Sequence, residues 1–235
     1  MKRKRLWLIL VLVLLITITG CAKKDNKNYG LEFKEEYEAL NGKTNKAGKE
    51  HRTITIPEDN PYIKIDPSKV VEMIDSEESF FLYVGDPLCP WCRSVLEKSI
   101  EVASKYKIKK IYYIEIWDDE GNEIFRDKYE LKDNELVKTI DGTKEYNRLL
   151  KEFDSVLSEY NITNEKGESV STGEKRIYAP NYFYIKNGKV IKLITGNSSL
   201  QKDSREELTK EMLEDEEKQF IELFKLDTSC SIDGC

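Results

Sequence analysis

A chain of 235 residues is long enough for one well-buried domain with additions or for two small ones, and its 44 acidic against 38 basic residues leave a net charge of −6. That acidic balance, with no basic stripe interleaved with aromatics, argues against nucleic acid as a partner, because a phosphate backbone would be repelled.

In chain order, the basic MKRKR is followed by the apolar LWLILVLVLLITIT and closed by Gly20 and Cys21, the pattern of an export signal. An apolar run of about 15 residues falls short of the roughly 20 that cross a bilayer as a helix, so a cleaved leader fits better than a permanent anchor. The closing Ile18-Thr19-Gly20-Cys21 resembles the lipobox of bacterial lipoproteins, with Ile18 where Leu is commoner. The resemblance implies cleavage before Cys21 and diacylglycerol on its thiol, and two acyl chains make a firm anchor at about 0.8 kcal/mol per buried methylene. Cleavage would remove Lys2, Arg3, Lys4 and Arg5, leaving 34 basic residues against 44 acidic and a mature charge of −10. This divides the chain into a signal peptide, 1–20, and a lipid-anchored tether with a short N-terminal extension, 21–52.

Within that extension, LEFKEEYEALNGK spaces Leu31, Phe33, Tyr37 and Leu40 as on a short docking helix and stops at Asn41-Gly42. TITIP alternates as a strand does, IKID follows, and DPSKVVEMID opens a helix with Asp66 as N-cap and Pro67 in the first position. SFFLYVG is a continuous apolar run of strand length, the pattern of a sheet centre covered on both faces. PWCRSVLEKSIEVASKYK then places Val95, Leu96, Ile100 and Ala103 at helical spacing, and IYYIEIWD is a further strand. Strand, helix, strand in that order implies a parallel unit.

Residues 118–176 are more polar, and KEYNRLLKEFDSVLSEYN sets Tyr146, Leu149, Leu150, Phe153, Val156, Leu157 and Tyr160 on one helical face. The spacing predicts a mostly helical insertion whose aromatics Tyr146, Phe153 and Tyr160 form its own core. NYFYIKNGKVIKLITG follows, two apolar runs around Asn187-Gly188, a strong hairpin signal. DSREELTKEMLEDEEKQFIELFKL predicts a long amphipathic helix offering Leu208, Met212, Phe220, Leu223 and Phe224 for packing. The main domain therefore spans 53–226, and a cysteine-containing tail occupies 227–235.

Chemistry concentrates in GDPLCPWCRSVLEKS, residues 85–99. A disulfide exchanger needs a thiolate to attack and a second thiol near enough to release the mixed disulfide, and two intervening residues at a helix start meet both needs. Cys89 stands at the helix N-terminus, where unpaired N–H groups and the dipole favour negative charge, and Cys92 lies one turn in. Cys89 is the expected attacker and Cys92 the resolver. Pro90 suits the first turn, lacking an N–H, and Trp91 can shape a contact surface without adding charge.

Two other readings of the pair are open, half a zinc site or a structural crosslink. Zinc would ask for two more ligands, yet the single histidine is His51, expected on the surface and without a role, and the other cysteines lie far off in the tail. No metal and no cofactor beyond the redox pair are expected. A crosslink closing so small a loop would stabilise little. With Cys21 assigned to lipid, the four remaining cysteines have three possible connectivities, of which Cys89–Cys92 and Cys230–Cys235 need the least rearrangement.

The apolar strand, CPWC at a helix start and the later IYAPNYFYIKNGKVI resemble the thioredoxin superfamily. The resemblance covers about residues 66–117 and 177–226 and implies an α/β fold with a mixed central sheet flanked by helices. It also implies a cis-proline at Pro180 facing the cysteines, Ala179 as the residue whose backbone pairs with substrate, and Gly196 closing the groove before the last helix. FKEEYEALNGK, PEDNPYI and GDPLCPWCRS resemble, more narrowly, thioredoxin-like lipoproteins of Gram-positive bacteria related to bacteriocin transport accessory proteins. The activity so implied is thiol–disulfide exchange at the extracytoplasmic face of the cell membrane. Its partners would be protein or peptide thiols and disulfides and a membrane electron donor or acceptor. The alternative is an accessory or binding protein for a secreted peptide or transporter, without essential redox turnover.

One departure stands out. Many thioredoxins carry a buried Asp six residues before the first cysteine, and here that position is Tyr83, leaving Asp86 and Glu115 as the nearest acids. Pro90 and the missing acid point to a couple less reducing than cytosolic thioredoxin. Trp117, at a strand end, fits core and groove rim equally. In the implied fold the last helix runs away from the site, and about 20 residues at 1.5 Å each carry Cys230 and Cys235 roughly 30 Å off, which favours a local structural disulfide over a second redox pair.

Overall fold

The apolar run Phe80–Gly85 (β2) forms the middle of a five-stranded sheet, with every one of its residues buried. In the computed structural model, which describes residues 28–133 and 135–227, the sheet order is β1-β3-β2-β8-β9. Strands Tyr62–Lys64 (β1) and Ile111–Glu115 (β3) run parallel to β2, and Asn181–Lys186 (β8) and Lys189–Ile194 (β9) antiparallel. The result is a mixed α/β architecture with five helices among the described residues.

Why β2 lacks polar alternation follows from its two faces. Phe81 and Tyr83 point into a core shared with helices Tyr29–Glu38 (α1), Pro90–Lys105 (α3) and Lys210–Phe224 (α5). Phe80, Leu82 and Val84 point into a second core under helices Pro67–Asp75 (α2) and Lys144–Phe153 (α4). A strand buried on both faces has no position left for a solvated side chain. None of the described helices is long and apolar enough to cross a membrane.

Local signals act as their chemistry dictates. Asp66 caps α2 by accepting from Ser68 N at 2.8 Å with Pro67 following. Asn187 and Gly188 turn the β8–β9 hairpin with φ of 51° and 71°, the left-handed pair a two-residue hairpin requires. The tip docks on the α2–β2 loop, where Gly188 N donates to Glu78 O at 2.9 Å.

Four expectations are corrected. The insertion 118–176 holds more strand than helix: Lys128–Lys132 (β4) pairs with Glu135–Ile140 (β5), and Ser158–Thr163 (β6) with Ser169–Arg176 (β7). Its single α-helix, α4, stops at Phe153, and after a 3-10 turn the chain leaves the helical path. Cross-strand partners outweigh the helical period here, because Tyr160 lies under the Arg176 guanidinium at 4.0 Å and Tyr178 Oη bridges to Glu159 O at 2.8 Å.

TITIP joins no strand. Its Ile54 and Ile56 are buried as alternation demands, but side chains stand in for a neighbouring strand: Asn41 Oδ1 accepts from Ile54 N (3.1 Å) and Glu38 Oε1 from Ile56 N (2.7 Å). The last helix begins at Lys210, where Thr209 Oγ1 accepts from Met212 N at 3.3 Å, and 203–209 is a turn gripped by Arg52. His51, expected at the surface, is buried, and its Nδ1 finds no hydrogen-bond partner among the described residues.

Candidate active site

The β2–α3 junction carries the cysteines. Cys89 is the N-cap of α3, its sulfur accepting from Cys92 N at 3.4 Å and its carbonyl from Arg93 N at 3.1 Å, and Pro90 takes the first helical position. The Cys89 thiol also donates to Ala179 O at 3.5 Å, and the Ala179–Pro180 bond is cis. Sequence-distant Ala179, with Pro180 after it, thus lies beside the Cys89 sulfur. Trp91 is half-buried, and its carbonyl accepts from Asn197 Nδ2 at 3.2 Å, which ties in the Gly196 segment. Gly196 itself has φ +81°, and a Cβ there would meet the Phe220 ring at 2.5 Å.

The two thiols are electrostatically unequal. A hydrogen bond from the Cys92 thiol, then the Cys92 N–H, hold the Cys89 thiol below the ordinary thiol range, outweighing the upward push of burial. Burial, with Cys89 alongside, pushes Cys92 well above that range. Thiolate character therefore gathers on Cys89. Cys89 is only 4% exposed.

The two nearest acids, Asp86 and Glu115, both line one cleft with Pro87 and Leu88 of the turn before Cys89. Asp86 is buried, its carboxylate accepting from Leu88 N (2.8 Å) and Trp117 N (2.9 Å), and burial raises its pKa to about 7. It lines a cleft of about 340 Å³ together with Glu36, Lys43, Leu88 and Asp118. Glu115 is bound to Lys64 at 2.7 Å, and its hydrogen bond to Glu36, added to burial, raises Glu36 to about 8. Trp117 packs against both cores, with Nε1 on Glu123 Oε2 at 3.2 Å and the Arg126 guanidinium over its ring at 5.8 Å.

Residues that sequence reasoning passed over complete the surroundings. Arg126, from the insertion, favours the Cys89 thiolate. Arg93, next to Cys92, is buried and donates to Arg52 O (2.8 Å), Tyr37 O (2.7 Å) and Asn41 Oδ1 (2.7 Å). Its signal was an arginine inside the apolar stripe of α3. The core that holds Cys92 also holds the buried tyrosines Tyr37, Tyr62, Tyr83, Tyr113 and Tyr182. Cys21, Cys230 and Cys235 lie outside the described residues. Among the described residues no three His, Cys, Asp or Glu side chains are grouped as a metal-ligand set.

No model of a known protein family matches this chain, and a search of curated proteins finds no match.

Proposed function

We propose that this chain is a thioredoxin-like thiol–disulfide oxidoreductase, anchored by lipid on Cys21 at the extracytoplasmic face of the membrane and working through Cys89 and Cys92. The observation that carries the reading is the asymmetric pair at a helix N-terminus, with Cys89 held toward thiolate and hydrogen-bonded to the backbone beside a cis-proline. Cys89 attacks a sulfur of a protein or peptide disulfide, a mixed disulfide forms, and Cys92 displaces it. A membrane electron donor or acceptor resets the pair, and no further cofactor takes part.

The thiolate on Cys89 bears on the potential of the couple, and the direction of electron flow is left to its measurement. A group that stabilises the Cys89 thiolate stabilises the reduced protein and raises the reduction potential. The couple should lie above about −270 mV, the value for thioredoxin, when equilibrated against glutathione. Tested on insulin with a chemical reductant, Cys89→Ser abolishes turnover and Cys92→Ser accumulates a covalent substrate adduct; full activity of the Cys89 variant would sink the proposal. Cys21→Ser should move the protein from the membrane fraction to the medium.

A second reading, an accessory protein binding a secreted peptide or transporter, draws support from the near-complete burial of Cys89 and from Tyr83 in place of an acid. Partners captured by Cys92→Ser that vanish under reductant favour exchange, whereas partners indifferent to both cysteines favour scaffolding.

A further inference from the structure

The insertion that follows β3 carries a buried group of charged side chains, Glu123, Arg126, Asp127 and Arg176. Both Glu123 oxygens accept from Arg126 Nε at 3.1 Å, and Oε2 also accepts from Arg126 Nη2 at 2.7 Å. Arg176 lies 3.5 Å from the same carboxylate and donates to Asp127 O at 2.6 Å. A buried ion group adds little to stability beyond what apolar residues of the same volume would supply. What it does supply is direction, because the planar guanidinium fork grips a carboxylate in one orientation.

Those directions close a circuit of hydrogen bonds on Cys89. Cys89 N donates to Asp86 O at 3.2 Å, and Asp86 Oδ2 accepts from Trp117 N at 2.9 Å. Trp117 Nε1 donates to Glu123 Oε2 at 3.2 Å, Glu123 holds Arg126, and Arg126 Nη1 donates to Ile177 O at 3.4 Å. Two residues on, Ala179 O accepts from the Cys89 thiol at 3.5 Å. The Ala179–Pro180 segment is held on its other side by Asn181, whose Oδ1 accepts from Tyr178 N at 2.7 Å and whose Nδ2 donates to Pro180 O at 2.9 Å. The turn before Cys89 and the entry to β8 are therefore joined through the insertion as well as through the β2–β8 pairing.

We propose that Glu123 and Arg126 are positioning residues for disulfide exchange: they fix the Ala179 backbone against the Cys89 sulfur, and the insertion is thereby part of the active site. This rests on the thiol–disulfide reading above. In the first step the Cys89 thiolate bonds one sulfur of the substrate disulfide, the disulfide bond breaks, and the other sulfur leaves with the electron pair and takes up a proton. The three sulfurs must lie nearly in line. A peptide paired with Ala179 takes its alignment from the separation of that backbone and Cys89, whereas a small disulfide without a peptide backbone does not. Arg126 also favours the Cys89 thiolate through space, so the test is built on Glu123 and on an Arg126 variant that keeps its charge.

Two disulfides separate positioning from thiol reactivity in the full chain. Insulin presents its disulfides on peptide backbone, and 5,5′-dithiobis(2-nitrobenzoate) has none. The readout is the ratio of kcat/KM on insulin, with a chemical reductant, to the rate of 2-nitro-5-thiobenzoate release. Since a misplacement of about 1 Å can cost about a hundredfold, Glu123→Ala, which unties Trp117 and Arg126 together, should lower the ratio about tenfold or more. Glu123→Gln keeps an acceptor oxygen and should recover most of that loss. A fall in folded fraction alone would lower both rates alike and leave the ratio in place. Arg126→Lys keeps the charge but loses the paired bonds, and should lower the ratio about fivefold. It carries the test should Glu123→Ala fail to fold. An unchanged ratio in the variant that carries the test, or an equal fall in Glu123→Gln, would overturn the positioning role while leaving thiol–disulfide exchange standing. No turnover of insulin by the wild-type chain would overturn both.

Discussion

Replacing Arg93 by methionine removes a buried guanidinium that has no carboxylate partner among its hydrogen bonds. It donates at 2.8 Å to Arg52 O, at 2.7 Å to Tyr37 O and Asn41 Oδ1, and at 3.4 Å to Pro87 O. Three short charge-assisted bonds at about 1.5–3 kcal/mol each give a gross contribution of about 5–9 kcal/mol. Against this stands the desolvation of the guanidinium, several kcal/mol, which the variant no longer bears. The Tyr37 and Arg52 carbonyls left without this donor add about 1–3 kcal/mol of cost apiece. The balance is a loss of at least about 3 kcal/mol, a large share of the roughly 5–15 kcal/mol of a typical domain. Urea denaturation followed by circular dichroism measures it. Because the lost bonds join α3 to α1 and to residue 52, limited proteolysis of Arg93→Met should cut first between residues 43 and 50. A stability change under about 0.5 kcal/mol would show that burial cost and bond strength cancel and that Arg93 does not hold α1.

Glu216 is fully buried, neither carboxylate oxygen has a hydrogen-bond partner among the described residues, and burial raises its pKa to about 8 although Arg52 and Lys98 lower it. A carboxyl whose folded pKa lies above the unfolded value near 4.5 contributes stability that is complete below pH 4.5 and lost as pH rises through about 8. Glu216→Gln should match wild type in acid and exceed it by about 3–5 kcal/mol above pH 8, and parallel stability–pH curves would refute this. The Asp86 charge raises the Cys89 thiol, and Asp86 titrates near 7. Iodoacetamide rates at Cys89 should therefore show an inflection near pH 7 that Asp86→Asn removes, with the Cys89 pKa lowered and stability reduced by about 1–3 kcal/mol for the N–H left unpaired. Gly85→Ala places a methyl 2.1 Å from the Tyr83 hydroxyl and should cost about 1–3 kcal/mol by thermal denaturation while displacing that ring; an unchanged melting temperature would contradict the packing.

Elements whose stabilising partners are near in sequence were legible. The Asp66-Pro67 start of α2 and the Asn187-Gly188 turn depend on backbone groups within a few residues, and Cys89 at the start of α3 is placed by the same local logic. The insertion departs from its helical pattern for the complementary reason. Leu149 and Phe153 follow the helical period, but Leu157 and Tyr160 satisfy it too, and only the pairing of β6 with β7 decides that the chain is extended there. TITIP carried a strand's alternation without a strand's neighbour, since its backbone partners are the side chains of Asn41, Glu38 and Glu97.

In the candidate site, the sequence alone determined that two thiols stand one helical turn apart, with the first at the N-terminus, because capping, proline preference and helix dipole act over a single turn. Tertiary structure decided what surrounds them. It brought Ala179 to the Cys89 thiol across 90 residues and Tyr37 to Tyr83 across 46. It also set an arginine from the insertion where it favours the Cys89 thiolate, and enclosed Asp86 far enough from water to hold its proton near neutral pH. Burial and through-space charge depend on where the whole chain packs, and no local spacing encodes them.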